Sequence, residues 1–131
     1  MIICFDYGLK YIGAALGCSK TKVIKALPCI HAQSFNDNIH LIKIILKKHN
    51  ATTMLVGTSH KKNCPILHKI IKAFVLGLRT NIQNIYLLDE NNTTKIAKIH
   101  YTNNKKSIEL HSTAACLLLN SWLIKIQNKK P

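Results

Sequence analysis

A chain of 131 residues, 47% of them apolar, is long enough to bury one core and too apolar for a disordered tail, so a single domain over 1–131 is expected. Nineteen basic residues against five acidic ones give a formal charge of +14, which predicts a polyanionic partner, nucleic acid before an anionic membrane surface. Abundant lysine, isoleucine and asparagine also follow from AT-rich coding, but that does not account for so few acids.

The chain opens on "MIICFDYG", an apolar and aromatic run stopped by Gly8, which reads as a strand ending in a turn. "KYIGAALG" follows after one or two turn residues and predicts a hairpin, with Gly8 making the turn and Gly13 allowing close approach. "KVIKALPCIHA" is a third strand, in which Pro28 predicts an edge position or a late bulge. From Ser34 the period changes. Phe35, Ile39, Ile42, Ile45 and Leu46 recur at helical spacing, Ser34 is the expected N-cap, and Lys47, Lys48 and His49 occupy the last turn. "TTMLVGT" is a short β-branched strand, followed by the loop "SHKKNC" and a helix marked by Leu67, Ile70, Ile71, Phe74 and Leu78. "NIYLLDE" is another strand. A weak helix in "TTKIAKIHY" precedes a stronger one with Leu110, Ala114, Leu117, Leu118, Ser121 and Trp122 on one face.

The order predicts an α/β mixed sheet: a three-stranded antiparallel meander plus parallel strands joined by right-handed crossovers, flanked by helices. Five cysteines, Cys4, Cys18, Cys29, Cys64 and Cys116, form no C-x-x-C pair, so they indicate neither a disulfide framework nor a zinc site and read as small buried hydrophobes in a reducing compartment. "AFVLGL" and "AACLLL" fall far short of the roughly 20 residues that span a bilayer. A soluble cytoplasmic protein is expected, with no membrane partner.

The five acids carry the functional argument. Asp37 falls in the first turn of a helix, where the dipole favours it. Asp6 ends the first strand, Asp89 and Glu90 end the last, and Glu109 shortly precedes the final helix. If the strands through Asp6 and Glu90 are parallel, their carboxyl ends share one sheet edge, where open α/β sheets place their sites. Adjacent strand residues face opposite ways, so only one of Asp89 and Glu90 joins Asp6. Converging carboxylates repel unless a cation sits among them, and in so basic a protein such a cluster suggests a metal site facing a phosphate. The plainer reading is that Asp6 satisfies turn amides and that Asp89 or Glu90 caps the next helix.

Four blocks in order, "FDYGLKYIGAALG", "MLVGTS", "YLLDENNTT" and "HSTAACLLLNSWL", resemble the YqgF-like pre-16S rRNA nuclease family, which is similar to Holliday-junction resolvases. They stand where that family has D-x-G-x-K-x-x-G-x-A, a hydrophobic strand ending V-G-L-P, D-E-R-x-[ST]-T and D-S-x-A-A-x-x-I-L. The resemblance covers Met1 to about Leu123 and implies a ribonuclease H-like fold and a phosphodiester-cleaving, metal-dependent endonuclease that processes the 5′ end of pre-16S rRNA. It carries the catalytic and metal positions onto Asp6, Glu90 and His111, the last standing where the family has a carboxylate. Imidazole suits transition metals better than Mg²⁺, so of Mg²⁺ and Mn²⁺ the site should lean toward Mn²⁺. Glu109 would share a face with His111 if the backbone between them were extended, but not in a helix. Lys10, Lys61 and Lys62 are the expected contacts to an RNA backbone, although a solvated loop also explains the last two. Asn91 replaces the family's arginine and removes a planar phosphate donor, while Thr93 and Thr94 read as a helix start.

His111 and Asn91 keep a second reading open, a nucleic-acid-binding factor of the same fold whose catalytic set has decayed. A third, the phosphate loop of an actin-like kinase, requires two such domains and further glycine-rich loops that the chain lacks.

Overall fold

The computed structural model describes residues 1–58, 65–88 and 107–129, apart from the side chains at 107–110 and 127–129. Its elements are β1 (Ile2–Tyr7), β2 (Tyr11–Gly17), β3 (Ile24–His31), α1 (Phe35–Lys48), β4 (Thr53–Gly57), α2 (Pro65–Leu78), β5 (Asn84–Leu88) and α3 (Ser107–Lys129). The five strands form one mixed sheet in the order β3-β2-β1-β4-β5. β1, β2 and β3 are an antiparallel meander, and β1-β4-β5 are parallel, as the apolar runs and turn residues lead one to expect. The weak helix in "TTKIAKIHY" lies outside the described residues, as do Lys61, Lys62, Cys64, Asp89, Glu90, Asn91, Thr93 and Thr94.

β1 is central and every one of its residues is buried, because helices cover both faces of the sheet. Ile3, Phe5 and Tyr7 point to one side and pack with Ile42 and Leu46 of α1 and with Leu67, Ile71, Phe74 and Leu78 of α2. Ile2 and Cys4 point to the other, where Ala15 and Leu55 meet Ala115, Leu118, Leu119 and Leu123 of α3. The alternation follows from the two-residue period of a strand.

Local chemistry sets the helix ends. The Asp37 amide donates to Ser34 Oγ at 3.2 Å, which makes Ser34 the N-cap, and Pro65 opens α2 where its missing N–H costs nothing. Asn38, buried in α1, accepts the Gln33 amide at 2.8 Å and donates to Tyr7 Oη at 3.5 Å. These bonds tie the start of α1 to the end of β1. Burial pushes the Tyr7 hydroxyl above its usual pKa, and the Asn38 bond partly offsets that.

Several expectations need correction. The β1–β2 turn has three residues, Gly8 to Lys10, rather than one or two. No described glycine has a positive φ, so Gly8 is not there to supply a left-handed backbone. The buried face of α3 is Ser112, Ala114, Ala115, Leu118, Leu119 and Leu123, while Leu117, Ser121 and Trp122 are only half-buried. Ala114 and Ala115 let this helix sit close to the sheet, and Leu118, Leu119 and Leu123 fill the space beside them. Among the described cysteines only Cys4 is fully buried; Cys18, Cys29 and Cys116 are partly exposed. Pro28 does lie on an edge strand, next to a register shift between Ile12 and Ala14.

Candidate functional site

Asp6 sits at the carboxyl end of β1 with 1% of its surface exposed. Its neighbour on β2 is Gly13 and its neighbour on β4 is Gly57, so no side chain crowds it from either adjoining strand. A Cβ at Gly13 would run into the carbonyl of His111, and one at Gly57 would press on Leu118 Cδ1 at 3.1 Å. Gly13 thus admits the backbone of α3 onto the sheet. That is the close approach its sequence position suggested, and its partner is a helix.

Ser112 secures the contact. At the β2–β3 register shift, Ser112 Oγ accepts the Ala14 amide at 3.4 Å and donates to the Leu27 carbonyl at 2.8 Å. One hydroxyl therefore bridges two strands where their ladder is interrupted, and it fixes α3 lengthwise. The preceding residue, His111, places Nδ1 3.7 Å from Asp6 Oδ2, with 26% of the imidazole exposed. The carboxylate is felt by the thiols around it. Cys4 and Cys29 are pushed above the usual cysteine pKa chiefly by burial and then by the charge of Asp6.

On the outer side, His111 stacks on Tyr11, with ring centroids 5.5 Å apart and planes within 28° of parallel. Tyr11 in turn meets His31, its partner across β2–β3, at 4.6 Å. Neither Tyr11 nor His31 stood out in the sequence. Their meeting depends on strand register past a bulge, and the only signal was the even spacing of Tyr11 from Gly13. Lys10 is exposed in the β1–β2 turn, and its carbonyl accepts the Ala32 amide at 2.8 Å.

The fold thus brings Asp6, His111 and Lys10 to one edge of the sheet. Glu90, Lys61 and Lys62 lie outside the described residues, and among those described no three His, Cys, Asp or Glu side chains form a metal-sized group. β5 delivers the chain as far as Leu88, which is in register with Gly57 and through it with Asp6. The helix α3 begins at Ser107 rather than after Glu109, so the extended backbone on which a shared face with His111 depended is not present. Beyond Gly57 a cavity of about 400 Å³ opens between the strand ends and α2, with His68 and Lys72 on its rim and Leu88 in its wall.

A buried carboxylate and a half-exposed imidazole at a strand end are a hard oxygen and a borderline nitrogen. Two donors each about 2.1 Å from one ion stand roughly 3 to 4 Å apart, so the pair fits a small divalent cation.

The family model described as RuvX, Holliday junction resolvase, matches residues 1–125. The chain belongs to this family. It is 35% identical to a protein named "Putative pre-16S rRNA nuclease" of Buchnera aphidicola subsp. Schizaphis graminum, over 93% of this chain and 95% of the relative. A protein of the same name from Haemophilus influenzae is 31% identical, over 92% of each chain. Among solved structures, the fowlpox virus Holliday junction resolvase superposes with a TM-score of 0.60 at 14% identity, covering 95% of this chain and 98% of that one. A Thermus thermophilus RuvC in complex with a Holliday junction substrate gives 0.57 at 11%, covering 100% and 99%. These likenesses establish the ribonuclease H-like resolvase fold expected from the four sequence blocks. RuvX family members are phosphodiester-cleaving nucleases, and this protein is accordingly a hydrolase with a nucleic-acid substrate. No helix among the described residues is long and apolar enough to cross a membrane.

Proposed function

We propose that the protein is a metal-dependent endonuclease acting on structured RNA, that residues 1–131 form one nuclease domain, and that its task is maturation of the 5′ end of pre-16S rRNA in the cytoplasm. The observation that carries this reading is the Asp6–His111 pair, a buried carboxylate facing an imidazole at 3.7 Å on the carboxyl edge of β1. The relatives' names favour RNA as the substrate, and the +14 charge suits any polyanion.

Asp6 and His111, with Glu90, would hold the ion, with Mn²⁺ preferred over Mg²⁺ because one ligand is imidazole. A divalent ion held there would supply a Lewis acid for activating a water and for offsetting charge on the leaving oxygen. Asp6, held rigidly in the central strand, supplies the negative charge without moving during the reaction. His111 closes the site from the α3 side, its position set by Ser112 and Gly13. Lys10, with Lys61 and Lys62, draws the phosphate backbone across the sheet edge.

The competing reading is a binding factor that has lost catalysis, for which His111 in a carboxylate's place is the motive. An imidazole turned away from Asp6 would favour it, and here the ring faces the carboxylate. The test is cleavage of an RNA containing the 5′ segment of pre-16S rRNA, with Mn²⁺ or Mg²⁺. Cleavage stronger in Mn²⁺ and lost in Asp6→Asn is the expected result. RNA bound but uncut with either ion, and still uncut by His111→Asp, would sink the enzyme reading.

A further inference from the structure

Asp6, His111, Tyr11 and His31 form a row that crosses the sheet edge from β1 to β3 and becomes more exposed along its length. Asp6 is buried, His111 is 26% exposed, Tyr11 is half-buried and His31 is exposed. The rings of His111 and Tyr11 are near parallel at 5.5 Å, and His31 stands against Tyr11 at 4.6 Å with its plane tilted by 59°. Lys10, next to Tyr11 in the chain, is exposed in the turn that leads into β2.

An aromatic pair opposite one another on neighbouring strands is often no more than sheet packing. That explanation fits poorly here. Tyr11 and His31 belong to neither of the two apolar clusters that hold the helices on the sheet. Their rings instead lie at the end of the molecule where the site is.

We propose that His31 and Tyr11 are a stacking platform that takes an unpaired nucleobase flanking the scissile phosphate. The proposal rests on the nuclease reading above and adds what that reading leaves open, the kind of structured nucleic acid preferred. Bases inside an A-form helix are stacked on each other and their faces cannot reach a protein ring, whereas bases in loops, bulges and single-stranded flanks can. A base laid against the outer face of His31 continues the row, which leads the adjoining phosphate toward Asp6. Stacking tolerates any base, so the platform selects unpaired structure rather than sequence. The RNA cut by this protein therefore carries its scissile bond next to an unpaired nucleotide.

The experiment measures binding of two RNAs of equal length in EDTA, where no cleavage occurs. One is a hairpin with a single-stranded flank carrying 2-aminopurine, and the other is fully paired. Wild-type protein should quench the 2-aminopurine and favour the flanked RNA. His31→Ala should weaken binding to the flanked RNA about 5- to 100-fold while leaving the paired RNA bound as before, and His31→Phe should restore it. His31 is exposed, so the substitutions leave the core untouched, and Tyr11→Leu provides a second loss-of-stacking variant. Equal binding of the two RNAs by wild type, equal losses on both in His31→Ala, or no loss in either variant would overturn the platform. A protein that stacks RNA in EDTA but never cuts it with Mn²⁺ keeps the platform and loses the nuclease reading; one that cuts without selecting unpaired flanks does the reverse.

Discussion

The two faces of the sheet are built on different principles. On the α1–α2 face, large side chains interlock: Phe74 meets Phe5 edge-on with ring centroids 6.3 Å apart and Tyr7 at 4.9 Å. On the α3 face the helix backbone comes down onto strand backbone at Gly13, and Leu118 and Leu119 reach into the space left by Gly57 and Gly17. The first face buries area and supplies stability. The second trades area for position, since a helix seated on a glycine has little freedom to slide, and it is this face that carries Asp6, His111 and Ser112. A stabilising face and a positioning face should fail differently.

The largest expected effect falls on the first face. Phe74→Ala removes a fully buried ring and should cost about 3 to 5 kcal/mol of unfolding free energy in urea titrations. At temperatures where the variant is still folded it should keep cleaving RNA, because Phe74 packs on the sheet face opposite α3 and Asp6. A proportionate loss of activity in the folded variant would show that the two faces are not separable. Gly13→Ala probes the other face. Its methyl collides with the His111 carbonyl, so α3 must lift. A displacement near 1 Å at a reacting centre can cost roughly 100-fold in rate. We expect about that loss in kcat, a shifted Mn²⁺ dependence, and a smaller loss of stability than in Phe74→Ala. The reverse order of effects would break the comparison.

The two faces also differed in how far they could be foreseen. The α1–α2 face was legible because large apolar residues at helical spacing announce themselves: Leu67, Ile71, Phe74 and Leu78 are all buried. So was the strand-end position of Asp6, since an apolar run stopped by glycine marks its own end. The α3 face was legible at Ala114 and Leu118, but the buried stripe runs on through Ala115, Leu119 and Leu123 rather than Leu117, Ser121 and Trp122, because apolar residues on adjoining helix positions leave the facing side undecided. Asp6 and His111 are 105 positions apart, and only the resemblance to a family motif put them in one site; no spacing rule reaches that far. The Tyr11–His31 contact was invisible, because a single-residue register shift on β2–β3 decides which residues share a face.

The smallest effect offers the sharpest readout of α3 docking, because it uses thiols native to the protein. Cys18, at the end of β2, is held by amide and hydroxyl donors of Thr21 and the Lys20 amide, which lower its pKa to about 7. Cys4 and Cys116, under and on α3, are pushed above the usual value, mainly by burial. The thiolate is the reactive form. Among these three, Cys18 should therefore be alkylated first by iodoacetamide, with half-maximal rate near pH 7, and neither folding nor cleavage should change on its modification. Cys4 and Cys116 should stay protected until the pH is raised well above that. If Gly13→Ala lifts α3, water and reagent reach Cys4, its burial cost falls, and its alkylation should accelerate while that of Cys18 does not. Phe74→Ala, acting on the opposite face, should leave Cys4 as slow as in the wild type. Acceleration of Cys4 in both variants would mean that the helices release the sheet together, and that the positioning of His111 depends on the whole core rather than on Gly13 and Ser112.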